Sequence, residues 1–505
     1  VMRGTPSVPL NCTTVSSAPL MRQPGGTQVP HTPRVARRAS SRPCSAAPGW
    51  GQRFSLRGQF RQPLLSTRAG RWQDWDGQLF ADFAKVDVAQ LRRHADLGVN
   101  ITQGLGALRL WADVNKGEVS GGAADIALDT VDVTLGPQLQ PLALAAVSGR
   151  LAGRRLANGF EFSTRDLQFR TPDGLVWPGG NVALTWTGAE GKILAQGELR
   201  ADRLDLAALS QVATRLPLGT ATHALLAAHA PRGLVESVQA RWQGPLGAPE
   251  KYQAKGRATA LEVAARPATL PRGSTATHAP AGVPGIRGAS VEFDFTQAGG
   301  KARLSVQKGA LELPGVFEDP VVALDQFSTD AQWQINGGAI ALTLGNLKFA
   351  NADAEGQAEV SWRTSDPAVS GSRSRFPGVL DLQATLSRAE GTRVHRYLPQ
   401  RIAKPARDYV RDSVLQGKAS GARFRIKGDL WDLPFNDPRL GEFRISANVK
   451  DATFAFVPRS IAPRGSAPWP SLTQLSGELV FERSGMQVKG ATARLSGAPG
   501  LQVNK

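Results

Sequence analysis

The side chains best placed to do chemistry in this sequence are three carboxylates, Asp429, Asp432 and Asp437. Acidic residues at such short spacing can act as a general acid and base or as calcium ligands. Their neighbours include Gly428 and Pro434, which are residues typical of turns. The surroundings therefore favour a turn at this position over a catalytic site.

No other spacing in the sequence predicts a reaction centre. Of the six histidines only His223 and His229 are close, and a separation of six residues fits neither one helix face nor a metal-ligand spacing. Gly104 and Gly106 do not extend into a dinucleotide fingerprint, and the sequence has neither a nucleophile elbow nor a phosphate loop. We predict no catalytic residue, no metal site, no cofactor and no enzymatic activity.

The first fifty residues differ in composition from the rest. Residues 1–50 hold six arginines, no acidic residue and both cysteines, Cys12 and Cys44, in a stretch without apolar periodicity. This composition predicts a disordered, non-native leader without the apolar core of a signal peptide. No apolar run elsewhere reaches the roughly eighteen residues of a spanning helix, so we expect a soluble or peripheral chain, or a piece of an anchored one.

The net charge of +18 is spread thinly beyond the leader. No dense basic run alternates with aromatic residues, as a groove for single-stranded nucleic acid would require. We therefore expect no nucleic-acid partner. Attraction to anionic lipid head groups explains the excess equally well.

Apolar residues alternate with polar ones along most of the chain after Gln52, which is the period of a strand with one apolar face. A one-residue shift near Asp129 predicts a bulge. The clearest alternating positions are Phe160, Phe162, Val182, Leu184, Val291, Phe293, Phe295, Ile340, Leu342, Leu344, Phe424, Ile426, Phe443, Ile445, Phe454 and Phe456.

Strands joined by turns with little helix predict a mainly β protein with a long antiparallel sheet. The apolar face of such a sheet must be shielded from water. The sheet could form a sandwich, a closed barrel or a curled trough that holds something apolar. Three tyrosines are too few for the aromatic girdles of a membrane barrel. The sandwich, with a core filled by side chains, stays open as the structural alternative.

Composition divides the chain into segments. Short helices are predicted near 86–97 and 204–216, and Pro, Gly and Ser indicate a flexible loop at 266–285. The predicted segments are a leader at 1–50, β segments at 51–265 and 286–392, a helix, turn and strand at 393–435, and a β segment at 436–505.

The segment 393–435 interrupts the alternation with an amphipathic helix. Pro405 suits the first helical turn and Gly417 predicts its end. A strand follows, in which Phe424 and Ile426 alternate with basic residues. The predicted apolar stripe of the helix, which we expect to lie against the apolar face of the sheet as a plug, cap or support, is Tyr409, Val410, Val414 and Leu415.

Several stretches in order along the chain resemble one family. They are the segment from Tyr397 to Phe435 that ends GDLWDLPF, and the stretches Phe54–Ser66, Trp75–His94, Leu313–Phe327 and Trp469–Gly497. This pattern is similar to the YhdP family, the AsmA-like, TamB-related envelope proteins of Gram-negative bacteria. The resemblance covers the chain from about Gln52 to Lys505, whereas residues 1 to about 50 resemble nothing in it.

The resemblance implies a bridge-like lipid transfer protein. Members are expected to form a long, curled β-sheet with a hydrophobic groove, anchored in the inner membrane by an N-terminal helix and crossing the periplasm. It implies phospholipid transport toward the outer membrane and support of its permeability barrier. We expect this chain to be a monomeric fragment that lacks the anchor and binds acyl chains along the sixteen alternating residues named above.

Overall fold

The computed structural model describes residues 36–38, 42–44, 54–61, 74–91, 100–136, 138–189, 191, 194–216, 218, 220–245, 249–268 and 282–504. The chain divides into two compact units. Unit 1 contains Val1–Ala228 and Val235–Tyr252, and unit 2 contains His229–Leu234 and Gln253–Lys505. Antiparallel strands dominate both, with a few short helices, which confirms the predicted mainly β class.

Unit 1 is built on an antiparallel ladder in which successive strands pair. β3 to β8 pair in chain order, then β10 pairs with β8 and β11 with β10, while the two-residue β9 also pairs with β8. Its strands are β1 (Ala36–Arg38), β2 (Arg42–Cys44), β3 (Phe54–Arg61), β4 (Asp76–Asp87), β5 (Asn100–Asn115), β6 (Glu118–Thr134), β7 (Leu142–Leu156), β8 (Gly159–Arg170), β9 (Val176–Trp177), β10 (Val182–Thr187) and β11 (Gln196–Asp205).

Short turns and bulges set the register of this ladder. Lys116 and Gly117 join β5 to β6 with φ angles of 48° and 73°, the left-handed pair that a tight hairpin requires. Opposite β5, the pairing shifts between Asp129 and Asp132, and Thr130 has a φ of 51°. The bulge predicted near Asp129 is thus confirmed.

The described residues of the first half of the chain include three helices. They are α1 (Val88–Leu91), α2 (Leu206–Val212), which a 3₁₀ turn at Ala213–Arg215 extends, and α3 (Thr220–His229). The Asp205 side chain caps α2 by accepting from the Ala208 N–H at 2.9 Å. The sequence predicted no helix at α3. Near the helix predicted at 86–97, β4 continues to Asp87 and α1 has a single turn, and residues 92–97 lie outside the described part.

The leader contains two strands where disorder was predicted. β1 and β2 both pair with β3, which places Arg37 opposite Phe60 and Pro43 opposite Ser55. Three-residue strands are too short to show a hydrophobic period in the sequence. Both pair with the edge of β3 that β4 leaves free, where backbone N–H and C=O groups need partners. The other residues of 1–50, and most of the loop predicted at 266–285, lie outside the described residues.

Unit 2 continues the same construction. From β13 to β24 each strand pairs with the next in antiparallel register. β12 (Arg232–Gln243) has residues in both units. The strands of unit 2 are β13 (Lys251–Val263), whose first two residues belong to unit 1, β14 (Gly285–Thr296), β15 (Gly299–Glu312), β16 (Val321–Asn336), β17 (Ala339–Ala350), β18 (Ala354–Arg363), β19 (Val379–Glu390), β20 (Val414–Asp429), β21 (Gly441–Phe454), β22 (Leu472–Glu482), β23 (Gly485–Leu495) and β24 (Ala498–Asn504).

Because successive strands alternate in direction, alternate connections lie at the same end of the ladder. One end, which we call the α4 end, holds residues 391–413 and 455–471, and with them helix α4 (Lys404–Ser413) and the 3₁₀ helix Gly391–Tyr397. The other end, the opposite end, holds residues 364–378 and 430–440.

The predicted helix of the central segment ends earlier than expected. α4 stops at Ser413, whose carbonyl accepts from the Ala455 N–H at 2.8 Å, and Val414 already pairs with Phe454 as the first residue of β20. Gly417 is therefore inside a strand, at φ 138°, where a Cβ would lie 2.7 Å from the Ala452 Cβ. Strand pairing overrides the helical pattern here.

The stripe predicted for this helix is partly wrong. Tyr409 and Val410 lie on α4 and are half-buried, whereas Val414 and Leu415 belong to β20. Leu415 is 54% exposed, so it does not lie against the apolar face of the sheet.

Candidate functional site

Unit 2 places apolar side chains directly opposite one another across eight successive strands. Residues that face each other in an antiparallel pair project to the same side of the sheet, so a chain of such pairs marks one face. We call this set the central row. From β14 to β21 it consists of Phe293, Ala302, Ala331, Leu344, Val360, Leu382, Ile426 and Phe443.

Two flanking rows widen the same face. On one side Phe295, Trp333, Leu342, Trp362 and Leu380 follow the strands, with Gly300 between the first two. On the other side the pairs Val291–Leu304 and Phe424–Ile445 continue it, and Ile445 faces Phe481 of β22. The central and flanking rows together form what we call the apolar face of unit 2.

Charged residues occupy the reverse side of the same strands. Arg303 of β15 contacts Asp330 of β16 at 3.1 Å, and Arg425 of β20 bonds Asp381 of β19 and lies 3.3 Å from Glu442 of β21. The hydrogen bond from Arg425 lowers the pKa of Asp381. The sheet therefore has one charged side and one apolar side.

The central row is not a buried core. Each of its eight residues is half-buried rather than buried, although all are apolar. Helix α4 does not cover them: it spans about 15 Å, and its Tyr409 ring contacts Phe454, eleven residues along β21 from Phe443, which is roughly 35 Å of strand. A long apolar surface thus stays partly open to solvent.

Unit 2 also has a buried cluster beside this face. Ala289, Val306 and Leu324 form a small buried cluster on β14, β15 and β16, with Phe327 and Ile286 packed against it. This cluster holds the strands together beside the open face.

Unit 1 carries a comparable face at one end of its ladder. Phe162 of β8 faces Leu184 of β10, which faces Leu199 of β11, and Phe160 faces Trp186 in the adjacent row. Phe160 and Phe162 are 43% and 39% exposed. The large aromatic rings at this end are therefore in contact with solvent.

The other end of the unit 1 ladder is a closed core. Val86, Leu128, Val131, Leu144 and Val147 are buried there with Val212 of α2 packed into the same cluster. Unit 1 therefore combines a side-chain-filled core at one end with an open apolar surface at the other.

The register brings most of the predicted lining residues together within each unit. Val182 and Leu184 share the face of Phe160 and Phe162, and the candidates on β14, β17, β20 and the first half of β21 share the apolar face of unit 2, where Ile340 faces Ile335 at its margin. Phe454 instead lies at the end of β21 against Tyr409. Phe456 lies beyond β21, and its ring packs on Trp469 at 6.0 Å.

Sequence reasoning missed other members of these faces. Trp333, Trp362, Val360, Leu382 and Leu199 complete the rows but were not among the candidates. The sequence did contain the signal, because each of these residues lies at an apolar position of the two-residue alternation of its strand.

The acidic cluster forms turns, as its neighbours suggested. Asp429 accepts from the Trp431 N–H at 3.0 Å and from the Ser365 hydroxyl at 2.8 Å, and Asp437 pairs with Arg439 two residues on. His223 bonds the Leu216 carbonyl at 3.1 Å. In the described residues no group of three or more His, Cys, Asp or Glu side chains could hold a metal ion.

Comparison with known proteins assigns the class of this chain. The sequence model of the YhdP family, described as YhdP protein, matches residues 38–504, and the chain belongs to that family. The match begins within residues 1–50, which showed no resemblance to the family. Residues 38–50 therefore belong to the matched region.

A curated relative gives a more particular comparison. The chain is 25% identical over 401 residues to the protein named intermembrane phospholipid transporter YhdP of Escherichia coli strain K12. The alignment covers 77% of this chain and 28% of the relative, so the chain spans little more than a quarter of that protein. No solved structure shows significant similarity to the chain. Across the described residues no helix has both the length and the apolar character to cross a bilayer.

Proposed function

We propose that the apolar faces of the two units bind phospholipid acyl chains, and that the chain is part of a protein that moves phospholipid between membranes. The observation that supports this most is the central row, which is eight strands wide, apolar throughout and only half-buried. The name of the Escherichia coli relative supports phospholipid as the ligand.

The dimensions of the face suit an acyl chain. From Ile340 to Leu344, β17 presents apolar side chains over five residues, or about 17 Å of strand. One leaflet of the hydrocarbon core of a bilayer is about 15 Å thick. Across the strands the central row extends roughly 34 Å, because neighbouring strands lie about 4.8 Å apart.

The chemistry required is transfer of apolar surface and not a covalent reaction. Burial of each methylene is favourable by about 0.8 kcal/mol, whichever apolar side chain it contacts. A tail can therefore move from row to row with little change in free energy, while its head group stays in water. We infer a non-enzymatic, monomeric protein of the cell envelope, anchored to the inner membrane in its full length, that supports the barrier of the outer membrane.

The phospholipid content of the purified chain tests this proposal. We expect mass spectrometry of an organic extract to find phospholipid above background, and Leu344→Asp to remove most of the lipid held by unit 2. A charge in the middle of the central row disfavours an apolar ligand. Thr343→Asp is the matched control, because Thr343 is exposed on the reverse side of the same strand.

A second candidate is a structural β protein with a core of side chains and no lipid, which the buried cluster of unit 1 favours. In that case the extract contains no phospholipid. Leu344→Asp would then behave as an ordinary surface or core substitution, with no effect that depends on lipid. A lipid-free extract from the wild-type chain counts decisively for this candidate.

A further inference from the structure

We propose that the α4 end of unit 2 carries a docking surface for an anionic phospholipid bilayer. This surface, which we call the basic cap, consists of residues 391–413 and 455–471, two long connections at that end. The inference goes beyond the binding of acyl chains, since it concerns the surface of a membrane and not a single lipid molecule.

The two connections form one continuous surface. The Tyr409 hydroxyl of α4 donates to the Phe456 carbonyl at 3.1 Å, and the Ala455 N–H donates to the Ser413 carbonyl at 2.8 Å. The Phe456 ring in turn packs on the ring of Trp469, so residues near the beginning and the end of the second connection are in contact.

The basic cap has a strong excess of positive charge. It contains eight Lys and Arg residues and only two acidic ones, Asp408 and Asp412. Both carboxylates are already paired within α4, since Arg411 lies 2.9 Å from each. Arg396 and Arg407 pair with carboxylates of neighbouring connections, and the charge left over is still cationic.

The positive charge that is left over lies on three solvent-exposed arginines of the cap. Arg401, Arg459 and Arg464 are exposed, and within the described part of the chain none of them pairs with a carboxylate. Each basic group near an anionic membrane contributes roughly a fivefold gain in binding, and the effect falls off within a Debye length.

Exposed apolar side chains lie among these arginines. Ile461 and Trp469 are 58% and 54% exposed, and the others in the cap are Val394 and Ile402. Tryptophan is enriched at membrane interfaces because its ring has an apolar body and a polar N–H. Cations next to exposed apolar residues are the combination by which peripheral proteins bind anionic bilayers.

The opposite end of unit 2 provides an internal comparison. It also exposes apolar residues, among them Val369, Phe376 and Trp431. However, residues 364–378 and 430–440 together contain three arginines and three aspartates. The two ends thus differ in charge, and only the basic cap is complementary to an anionic surface.

The geometry favours a bilayer over an acidic protein as the partner. The exposed apolar residues of the cap lie on two separate connections, and along each connection arginines alternate with them in sequence, a pattern that suits a soft surface. A protein partner would instead bind through a few anchors clustered in a well-packed, desolvated centre.

Co-sedimentation of the 505-residue chain with vesicles tests this surface. We expect pelleting with phosphatidylglycerol and phosphatidylethanolamine vesicles and much less with phosphatidylcholine alone, and we expect added salt to weaken it. The double substitution Arg459→Gln and Arg464→Gln should lower the partition coefficient about 30-fold, because two charges are lost. Arg373→Gln with Arg439→Gln, at the opposite end, is the matched control and should change it little.

A second pair of variants probes the apolar contribution. Ile461→Ser with Trp469→Ser should weaken pelleting, whereas Trp431→Ser at the opposite end should not; unchanged circular dichroism shows that each variant is folded. The proposal is overturned if the wild-type chain does not pellet, as when the cap binds an acidic protein, if anionic lipid makes no difference, or if both ends respond alike. Pelleting is measured separately from extracted lipid, so either proposal can fail alone.

Discussion

At the scale of single residues, the charged sides of the ladders hold neighbouring strands in register. Glu198 of β11 shows this most clearly: one carboxylate oxygen accepts from Gln239 at 2.8 Å, from Arg200 at 2.7 Å and from Arg241 at 3.3 Å. Gln239 and Arg241 lie on β12, so this group links two strands. The hydrogen bonds from Gln239 and Arg200 lower the pKa of Glu198 to about 2.

The low pKa of Glu198 predicts how stability depends on pH. Its pKa is lower in the folded state than the ordinary value of 4.5, so its stabilising effect is full above that pH and is lost as the pH falls toward about 2. We expect Glu198→Gln to flatten the decline of the free energy of unfolding over that window, as measured by urea titration at a series of pH values.

Glu118 provides the control for this experiment. It is exposed, and its only ion pair in the described part of the chain is a 3.4 Å contact with the exposed Arg155, a type of pair that is worth little. Glu118→Gln should therefore leave the pH dependence as in the wild-type chain. An equal flattening in both variants would contradict the role given to Glu198.

At the scale of elements, a cluster of polar side chains attaches the 3₁₀ helix Gly391–Tyr397 to the strands beside it. Arg396 bonds Asp353 at 2.8 Å, between β17 and β18, and Asp319 at 2.7 Å, between β15 and β16. The Tyr397 hydroxyl also donates to Asp353, at 2.9 Å. Asp353 is only 12% exposed, so it depends on these donors.

Removal of the Arg396 guanidinium should therefore destabilise this end of unit 2. We expect Arg396→Met to lower the free energy of unfolding by about 2 kcal/mol, because a nearly buried carboxylate loses its charged donor. Urea denaturation gives the value, and hydrogen exchange should show the largest change in residues 391–413.

Arg393→Met is the comparison for that substitution. Arg393 belongs to the same 3₁₀ helix, is exposed, and reaches Asp353 only at 4.0 Å. Its loss should cost less than about 0.5 kcal/mol. If the two variants were equally destabilised, the contacts of Arg396 would not be what fixes this element.

At the scale of the whole molecule, each unit has an apolar face of its own beside a buried cluster of its own. Each buried cluster stabilises its unit without covering the rest of the apolar face. Under the proposed function, phospholipid should therefore bind to both units of the chain.

Lipid content after substitution in either unit tests this expectation. We expect Leu184→Asp in unit 1 and Leu344→Asp in unit 2 each to remove part of the extracted phospholipid, and the double variant to remove the sum, because effects at separate sites usually add. Ala183→Asp, on the reverse side of β10, is the control in unit 1. Loss of all lipid from one single substitution would show that only one face binds it.

Much of the fold could be read from the two-residue period alone. Phe293, Leu344 and Phe443 alternate with polar neighbours, and this predicted both the strands and the existence of an apolar side. The bulge near Asp129 was predicted in the same way, from a shift of that period. Failures came where the signal is too short or is overridden. The three-residue strands β1 and β2 show no period, and β20 begins at Val414, which pairs with Phe454, although Val414 and Leu415 continue the helical stripe of α4.

By itself the sequence determined the class of the protein, the alternation of apolar and polar faces, and the absence of any spacing that predicts catalysis. Only the tertiary structure decided which apolar residues meet, because the pairing of Val360 with Leu344 and Leu382 depends on register and bulges between segments distant in sequence. It also decided that these residues are half-buried rather than enclosed. Local pattern shows that a face is apolar, but whether anything covers that face depends on contacts between elements.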